Sequence, residues 1–501
     1  MSDSIAKKLS FFKKPLRVLF VAAEVYPYAT VGGLGMVIFS LSRALKELGV
    51  DVQIFMPKYA LIDEKKYPME MVFEGLKVPT GEEEEGKKFL ICNIKRYLPP
   101  EPDVPIYFLE NMEYYEKRSN VYDYSDDPIR FTLLSRGGLE FLRRSDWIPD
   151  VINCADWHTG GLPNFLKTVY KEDPVLNKIS TVFSIHNLFH QGAFDHRFVS
   201  ELDFDDGKSP IAPFFSEKLS KQNFMRRGII FADVINTVSE TYSREIMTEE
   251  CGEKLDDLLK EVRTKVFGIL NGIDYQEINP TTDKLIPVNF SITNLKKRVE
   301  NKIRLQKEFN LGVSPDIPIL GMVGRLSEQK GIDLLFPFLE TLLSEYNCQF
   351  IAIGEGEAKY RSFFEEITKK FPKKIACHLM FDLTLARHVF AGCDLFLMPS
   401  KFEPCGITQM EAMRYGAIPV VRKTGGLADT VEDFDPRKNS GTGLIFEKFS
   451  SHAFFGAIIR ALETYKHKKI WWELIKRAMK ADFSWEVSAK KYFELYNKFI
   501  A

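Results

Sequence analysis

The chain contains 501 residues, of which 45% are apolar, so it is long enough for two or three domains with substantial cores. Its 68 basic and 69 acidic side chains leave a net charge of −1, which gives no electrostatic reason to expect binding to nucleic acid or to an anionic membrane. The seven cysteines lack a CxxC pair and no apolar run has membrane length, so we expect a cytoplasmic protein with reduced thiols.

The first half of the chain alternates predicted strands and helices. Continuous apolar runs predict buried strands, and apolar residues that recur every three or four positions predict amphipathic helices. The predicted strands cover residues 16–23, 51–56, 105–109, 151–154, 181–185, 232–237 and 265–270, and the predicted helices cover 37–48 and 129–144. This order is typical of a doubly wound parallel sheet. Residues 81–88, GEEEEGKK, are predicted to form a solvated turn.

A second alternation follows a candidate linker. Residues 274–289 are rich in Pro, Asp and Thr, which favours an irregular connection. Beyond them, strands are predicted at 319–323, 349–353, 376–380, 395–398 and 418–421, with helices that start at Gly331 and Gly406 and one that ends at Phe371. The amphipathic segment 484–500 predicts a C-terminal helix. Both halves are therefore predicted to be Rossmann-type domains.

The stretch 394–429 predicts an anion site. Its strand at 395–398 leads through a loop into a helix, and its strand at 418–421 leads through Thr424, Gly425 and Gly426 into another. The N-termini of both helices would open at the carboxyl edge of one parallel sheet, where backbone N–H groups and the helix dipole favour a diphosphate. Glu403 would lie at the mouth of that site.

Polar side chains also follow predicted strands in the first half. Asp156 and His158 follow the strand at 151–154, and His186 follows the strand at 181–185. The carboxyl end of a parallel strand is well placed for ligand contact, although a capping Asp or a hydrogen-bonded core His is the commoner role. The glycine-rich segments 32–35 and 425–428 occupy similar strand-to-helix turns, and two such turns facing one another would form a cleft.

Motifs along nearly the whole chain resemble those of the bacterial glycogen synthases and plant starch synthases. EPCG at 403–406, Glu411 and RKTGGLADT at 422–430 carry the resemblance most clearly. The other matching segments are YPYATVGGLGMV (26–37), DWHTGGLP (156–163), SIHNLFHQGAF (184–194), SETYSREI (239–246), ILNGIDYQEINPTTD (269–283), GRLSEQKGIDLL (324–335) and FSWEVSAKKYFELY (483–496). Their joint order and spacing make the resemblance specific.

The resemblance implies the GT-B fold, an α/β architecture of two Rossmann-like, doubly wound parallel-sheet domains that face one another across a cleft. The implied boundaries are 1–278 for an N-terminal acceptor and catalytic domain and 279–480 for a nucleotide-sugar-binding domain. Residues 481–501 would form a C-terminal helix that crosses back onto the first domain.

The resemblance also implies an activity. It is the transfer of glucose, with retention, from a nucleotide-glucose to the non-reducing end of an α-1,4-glucan, with ADP-glucose the favoured donor and UDP-glucose an alternative. The competing interpretations are a GT-B glycosyltransferase with a different donor or acceptor, and a catalytically weak glucan-binding relative. No cofactor, nucleic-acid partner or membrane partner is implied, and the oligomeric state stays open.

The catalytic residues are expected from the same resemblance. Departure of a nucleoside diphosphate needs fixed positive charge, and Arg325 and Lys330 match the family's pyrophosphate-binding pair. Glu403 matches the motif glutamate beside the anomeric carbon, where the family's usual front-face route implies electrostatic support of an oxocarbenium-like centre and not covalent attack. Asp156 and His186 match sugar-binding positions.

The remaining implied contacts bind substrate. Glu411 resembles a glutamate that binds ribose hydroxyls, and Phe381 falls where relatives stack a Tyr on the base. The full substrate-binding set is Gly32, Gly33, Asn271, Phe381, Cys405, Gly406, Ile407, Thr408, Glu411 and His158. Cys405 has no neighbouring His in sequence and is not expected to be a nucleophile. No His, Cys or Asp cluster has metal-ligand spacing, so no metal site is predicted.

The chain departs from the family pattern at the first glycine-rich turn. Thr30 stands where the family has a lysine near the donor phosphates, and Met36 stands where it has an aspartate. Less positive charge would therefore face the donor. Arg422 and Lys423 in the other glycine-rich motif are candidates to supply part of that charge.

Overall fold

The structure is a computed structural model that describes residues 14–192, 194–200 and 204–500. The described parts of Met1–Thr237, Ile246–Ile269 and Trp485–Ala501 form a first compact unit. Val238–Glu245 and Leu270–Ser484 form a second. The chain therefore enters the second unit briefly at Val238–Glu245 and returns to the first unit. It then forms the rest of the second unit and ends in the first unit with its C-terminal helix. Ala193, in the predicted motif 184–194, and Ala501 lie outside the described residues, as do residues 1–13.

The β-strands belong to two sheets. In chain order they are β1 (Arg17–Val21), β2 (Asp51–Pro57), β3 (Glu70–Pro79), β4 (Phe89–Tyr97), β5 (Ile106–Glu110), β6 (Val151–Ala155), β7 (Ser180–Ile185), β8 (Val234–Thr237), β9 (Val266–Gly268), β10 (Ile319–Val323), β11 (Gln349–Ile353), β12 (Ile375–His378), β13 (Leu395–Met398), β14 (Ile418–Arg422) and β15 (Leu444–Phe446). The first nine form one sheet and the last six form the other.

The α-helices of the described residues cover most of the connections between these strands. They are α1 (Gly33–Glu47), α2 (Asp127–Leu142), α3 (Gly161–Lys167), α4 (Phe224–Phe231), α5 (Glu240–Glu245), α6 (Asp256–Glu261), α7 (Arg298–Glu308), α8 (Leu339–Glu345), α9 (Ala358–Lys370), α10 (Leu383–Gly392), α11 (Thr408–Arg414), α12 (Gly425–Thr430), α13 (Ser451–Lys466), α14 (Lys468–Lys480) and α15 (Trp485–Phe499). No helix in the described ranges is long and apolar enough to cross a membrane.

The first sheet has the strand order β3-β4-β5-β2-β1-β6-β7-β8-β9. Its strands pair in parallel except for β3 with β4 and β4 with β5. The predicted charged turn at 81–88 connects β3 and β4, but sequence analysis missed both strands. Most of β3 is exposed, and the Glu, Gly and Lys residues in it interrupt the apolar alternation that a half-buried strand normally shows.

The second sheet is entirely parallel, with the order β12-β11-β10-β13-β14-β15. The prediction that a helix starts at Gly331 was wrong. Two 3₁₀ turns, Glu328–Lys330 and Ile332–Leu334, occupy this region, and the α-helix begins only at Leu339. Gly331 adopts a left-handed conformation with φ of +67°, and Pro337 disfavours helix at the residue before it.

The segment predicted as a linker lies in the second unit. Residues 274–289 contain no α-helix or β-strand, yet Ile278 and Ile286 are buried there. Glu277 accepts a hydrogen bond from Arg387 at 2.9 Å, and the Tyr415 hydroxyl donates to Asp283. These contacts hold the segment on the unit that contains β10 to β15.

The C-terminal helix α15 packs on α1 in the first unit. Asn153 on β6 donates a hydrogen bond to the Tyr496 hydroxyl at 2.9 Å, and the Tyr492 hydroxyl donates to Asn236 on β8 at 2.8 Å. All four side chains are buried. The predicted return of this helix to the first domain is confirmed.

Candidate active site

The second sheet presents a pocket where its strand order reverses. β10 lies between β11 and β13, so the loops after Val323 and Met398 diverge from neighbouring strands at their carboxyl ends. Ligands of doubly wound sheets bind at this switch point. Arg325, Lys330 and Ser400 line the pocket beside residues of both strands. The Arg325 side chain is exposed and has no ion-pair partner within the described part of the chain.

Two predicted catalytic residues meet beside this pocket. The Lys330 Nζ lies 2.6 Å from Oε2 of Glu403, and the Ser400 hydroxyl donates to the same oxygen at 2.9 Å. Glu403 is only 6% exposed. A buried carboxylate needs such partners because burial without them is costly. The structure thus brings Arg325, Lys330 and Glu403 together at one edge of the sheet.

The glycines of the second glycine-rich turn allow it to press against the loop that carries Glu403. The amide of Gly426 donates to the Glu403 carbonyl at 3.1 Å. A Cβ atom at Gly425, where φ is +44°, would lie 1.9 Å from that carbonyl oxygen, and one at Gly426 would lie 1.7 Å from the Cys405 carbonyl oxygen. Only glycine fits at either position, so this turn supports the backbone of the loop from Glu403 to Cys405.

A carboxylate of the chain occupies the N-terminus of α12. Glu245, at the end of α5, accepts hydrogen bonds from the Gly425 amide at 3.0 Å and from the Thr424 hydroxyl at 3.1 Å. Burial raises the pKa of Glu245 above its ordinary value. The helix end that was predicted to favour a diphosphate therefore holds the protein's own anion, which sequence analysis did not identify.

The loop before α11 is held by Gln409. Its amide nitrogen donates to the Gly406 carbonyl at 2.7 Å and to the Thr430 hydroxyl at 3.1 Å, which ties α11 to α12. Gly406 has φ of +68°, and a Cβ there would lie 2.5 Å from the Gln409 side chain. Ile407 precedes α11, and the Thr408 hydroxyl contacts the Met398 sulfur at 3.4 Å.

Asn271 and Cys405 are neighbours in the second unit. The backbone of Asn271 hydrogen-bonds the Cys405 thiol, but burial raises the pKa of that thiol to about 12. The thiol is therefore protonated near neutral pH, which fits a structural role and not a nucleophilic one. Oδ1 of Asn271 is buried and has no hydrogen-bond partner among the described residues, so it is free to accept from a ligand.

Glu411 and Phe381 are the two residues predicted to contact the nucleoside of the donor. Burial raises the pKa of Glu411, and the nearby Arg387 guanidinium opposes that shift. The Phe381 ring is 70% exposed beside Asp382, whose side chain caps α10 by accepting from the Leu385 amide at 2.9 Å. An exposed ring on a capped helix start can stack on a flat ligand.

The first sheet has its own switch point, where β1 lies between β2 and β6. Asp156 follows β6 with φ of +54°, and its Oδ1 accepts from the His186 amide at 2.7 Å. Burial, and to a smaller extent the nearby Glu24, raise the pKa of Asp156 to about 7. Two of the predicted sugar-binding residues are therefore adjacent, and the carboxyl group titrates near neutral pH.

The two histidines of this region are neutral. Burial lowers the pKa of His186 to about 4 and lowers that of His158 well below its ordinary value. The His158 ring stacks on Tyr122 with centroids 4.8 Å apart. Nδ1 of His158 and Nε2 of His186 are buried without hydrogen-bond partners in the described ranges, so each ring retains a nitrogen for a ligand or a water.

Glu24 holds the first glycine-rich turn. Its carboxylate accepts from the amides of Val31 and, at 3.0 Å, Gly32. Gly33 begins α1, and a Cβ there would meet nothing within 4 Å. Thr30, which stands in place of the family lysine, is exposed. Glu24 therefore holds the backbone of this turn through hydrogen bonds, while Gly33 and Thr30 have free space beside them.

Comparison with known proteins gives the family. Residues 17–261 match the model of the starch synthase catalytic domain, and residues 304–477 match that of glycosyl transferases group 1. A glycogen synthase of Thermosipho melanesiensis is 42% identical over 96% of this chain and 99% of its own length. One from Thermotoga petrophila is 40% identical over 97% and 99%. The chain belongs to the glycogen and starch synthase family.

Solved structures agree with this family assignment. The catalytic domain of starch synthase IV from Arabidopsis thaliana, described as bound to ADP and acarbose, has a TM-score of 0.82 and 32% identity over 97% of this chain and all of that one. Sucrose-phosphate synthase from Thermosynechococcus elongatus shares the fold alone, with a TM-score of 0.56 and 15% identity. The fold is GT-B, and the protein is a retaining glycosyltransferase.

The basic residues suggested to replace the missing family lysine are engaged elsewhere. Lys423 pairs with Glu447 at 2.9 Å, and Arg422 donates to the carbonyls of Lys401 and Glu447. They therefore lie beside the second glycine-rich turn in contacts with the protein itself.

An acidic group that could in principle hold a metal lies elsewhere in the first unit. In the described part of the chain, carboxylate oxygens of Glu64, Glu110 and Glu116 lie within 4.8 Å of one another. Lys58 lies 3.2 Å from Glu64, and Lys95 lies 2.5 Å from Glu110. These ammonium groups already neutralise much of the negative charge, and none of the three acids belongs to the residues predicted for this family's site.

Sequence analysis assigned no role to three residues that hold the site in shape, although Glu245 lies in the matching segment 239–246 and Ser400 in the stretch 394–429. They are Glu24, Glu245 and Ser400, and each contacts a motif residue through a hydrogen bond of its side chain. A serine three residues before Glu403 was a weak local signal. Glu245 lies far from its partners in sequence, so only the fold could reveal its contact.

Proposed function

We propose that the protein transfers glucose from ADP-glucose to the non-reducing end of an α-1,4-glucan, with retention of the anomeric configuration. The observation that carries this proposal is the convergence of Arg325, Lys330 and Glu403 at the switch point of the second sheet. The preference for ADP-glucose is supported by the structurally similar plant starch synthase, which is described as bound to ADP. UDP-glucose is the alternative donor.

The cationic side chains act on the leaving group in this proposal. Negative charge accumulates on the departing diphosphate as its bond to the sugar breaks, and fixed cations stabilise it. Arg325, which is exposed and without an ion pair in the described residues, is available for this role. Lys330, now paired with Glu403, would be shared between that carboxylate and the diphosphate.

Glu403 stabilises the positive charge that develops on the sugar. Its carboxylate lies in a nearly buried position, where an electrostatic interaction is stronger than in water. We assign it no covalent attack. The leaving phosphate accepts the proton of the acceptor hydroxyl, as the family's front-face route implies.

The remaining substrate contacts follow from exposure and unused hydrogen-bonding capacity. Phe381 would stack on the base, and Asn271 would accept from the donor through Oδ1. Glu411 would bind the ribose hydroxyls, as membership of the family implies. In the first unit, Asp156 and His186 would contact the sugar. None of the seven cysteines, all of which lie in the described ranges, forms a disulfide, which supports a reducing compartment such as the cytoplasm.

The test is a donor panel assayed with glycogen. ADP-glucose and UDP-glucose are each incubated with the protein, and nucleoside diphosphate release is measured together with the anomeric configuration of the new linkage. We expect faster release from ADP-glucose and α-1,4-linked product. Release from UDP-glucose alone would reverse the donor assignment, and binding to glycogen without any release would favour the weak glucan-binding alternative.

A further inference from the structure

Ser400 makes a contact that the proposed chemistry has not yet used. It follows β13 after Pro399, its side chain is fully buried, and its hydroxyl donates to Oε2 of Glu403 at 2.9 Å. The Lys330 ammonium lies 2.6 Å from the same oxygen. Two donors therefore converge on Oε2 of Glu403. They fix the position of the carboxylate and leave its other oxygen, Oε1, for other groups.

The two donors differ in what else they can bind. Lys330 is a mobile point charge at a pocket that Arg325 also lines, so an incoming diphosphate competes with Glu403 for its ammonium. The Ser400 hydroxyl is buried on a short side chain two residues after a core strand, and it has one proton to donate. A diphosphate can draw Lys330 away from Glu403 but cannot draw Ser400.

We infer that Ser400 is a positioning residue for Glu403, which holds the carboxylate in its orientation toward the sugar when Lys330 turns to the donor diphosphate. The inference rests on the proposed function. It extends that function by giving the two donors to Oε2 different roles. Ser400 stays bound to Glu403 throughout, whereas Lys330 exchanges between Glu403 and the diphosphate. Ser400 need not touch either substrate to affect the rate.

A double-mutant cycle tests this role. The variants are Ser400→Ala, Glu403→Ala and the pair together, with Ser400→Cys as a second replacement that keeps the shape of the side chain but donates weakly. For each protein, kcat and the KM values for donor and glycogen are measured, along with thermal stability. The cycle separates an effect that acts through Glu403 from a general effect on the fold.

We expect Ser400→Ala to lower kcat by about tenfold to a hundredfold, as loss of a hydrogen bond to a charged group implies, while the donor KM changes by less than about threefold. Ser400→Cys should fall between Ser400→Ala and the wild type. In the Glu403→Ala background, removing the serine hydroxyl should change the residual kcat by less than about twofold, because the group that it positions is already absent.

Thr368→Val provides the matched control. Thr368 lies on α9 in the same unit, and its hydroxyl donates to the Phe364 carbonyl at 2.7 Å, away from the pocket. This variant loses that hydrogen bond together with the weaker contact of the hydroxyl with the Cys377 sulfur at 3.6 Å, and we expect its kcat to match the wild type.

The outcomes separate the inference from the proposed function. An equal loss of kcat from Ser400→Ala in both backgrounds would overturn the inference, as would wild-type kcat in Ser400→Ala. If Ser400→Ala does not fold, Ser400→Cys decides by the same cycle. If the wild type releases nucleoside diphosphate from neither donor, the proposed function fails and the inference fails with it, whereas an active wild type with an indifferent Ser400 removes the inference alone.

Discussion

The two glycine-rich turns look alike in sequence but are packed differently. Each lies at the start of a helix, and each donates at least one backbone amide to a carboxylate from elsewhere in the chain, Glu24 for the first turn and Glu245 for the second. A Cβ on Gly426 would collide with backbone at 1.7 Å, whereas one on Gly33 would meet nothing within 4 Å. The second turn thus needs glycine at Gly426 for the fold, and the first has open space beside Gly33.

This difference shows that a shared motif need not have a shared purpose. In the second unit the glycines let one loop lie directly on the backbone of Glu403 and Cys405, so they shape the site from behind. In the first unit no described neighbour requires the absence of a side chain at Gly33. Space of this kind is what close approach of a ligand to backbone needs.

The largest expected effect is a contrast in stability. Gly426→Ala should destabilise the protein by more than about 4 kcal/mol or prevent folding, because the collision is with backbone that cannot move aside. Gly33→Ala should leave stability within about 1 kcal/mol of the wild type, since alanine is the better helix former. Urea denaturation of both variants checks this, and similar losses in the two would remove the structural distinction between the turns.

The second turn packs against the loop that carries Glu403, and activity should depend on the charged side chains beside that loop. Arg325→Ala, Lys330→Ala and Glu403→Ala should each lower kcat by at least about a hundredfold, because each removes a charge that stabilises the transition state. Lys423→Ala is the control, since its ammonium pairs with the exposed Glu447 and should be dispensable. A well-folded variant of the first three with near-normal turnover would exclude that residue from the site.

The first turn lies near a carboxyl group whose titration should be visible in stability. The pKa of Asp156 is raised to about 7 in the fold. The contribution of its protonated carboxyl group to the free energy of unfolding is therefore fully present below the ordinary pKa near 4 and is lost as the pH rises through 7. Asp156→Asn should therefore be more stable than the wild type by roughly 1 to 3 kcal/mol at pH 8, with the advantage shrinking toward pH 4.

Urea denaturation of both proteins at several pH values measures this difference. The lowered pKa of His186, about 4, has the opposite sign, because stability is lost as the pH falls below 6.5. That contribution is common to both proteins and cancels to a first approximation. A stability difference that does not change with pH would show that Asp156 is ionised normally in the fold.

The smallest expected effect concerns the charge missing from the first turn. Thr30→Lys with Met36→Asp should raise kcat/KM for the nucleotide-glucose donor by about tenfold, which corresponds to roughly 1.4 kcal/mol of recovered transition-state binding. Thr30 is exposed, so a longer side chain has room. Met36→Asp alone should not help, because an acid near phosphates repels them. An unchanged kcat/KM in a folded double variant would mean that this turn does not contact the phosphates.

The sequence predicted those parts of the molecule that depend on local pattern. β13 and β14 lie where apolar runs predicted them, and the helices that follow begin near the expected glycines. Burial of a continuous apolar run needs no knowledge of its partner, so such elements are readable from the chain alone. The family motifs also located Arg325, Lys330 and Glu403, which the structure brings together.

Only the tertiary structure decided which polar groups satisfy one another. The mostly exposed strand β3 has no clear apolar period, and the start of α8 depends on a left-handed Gly331 and on Pro337. Glu245 occupies the helix N-terminus that was expected to be available to a ligand, and Glu24 binds the amide of Gly32, a predicted substrate-binding residue. A carboxylate can accept from any donor that the fold brings within about 3 Å, so sequence spacing cannot identify its partner until the chain has packed.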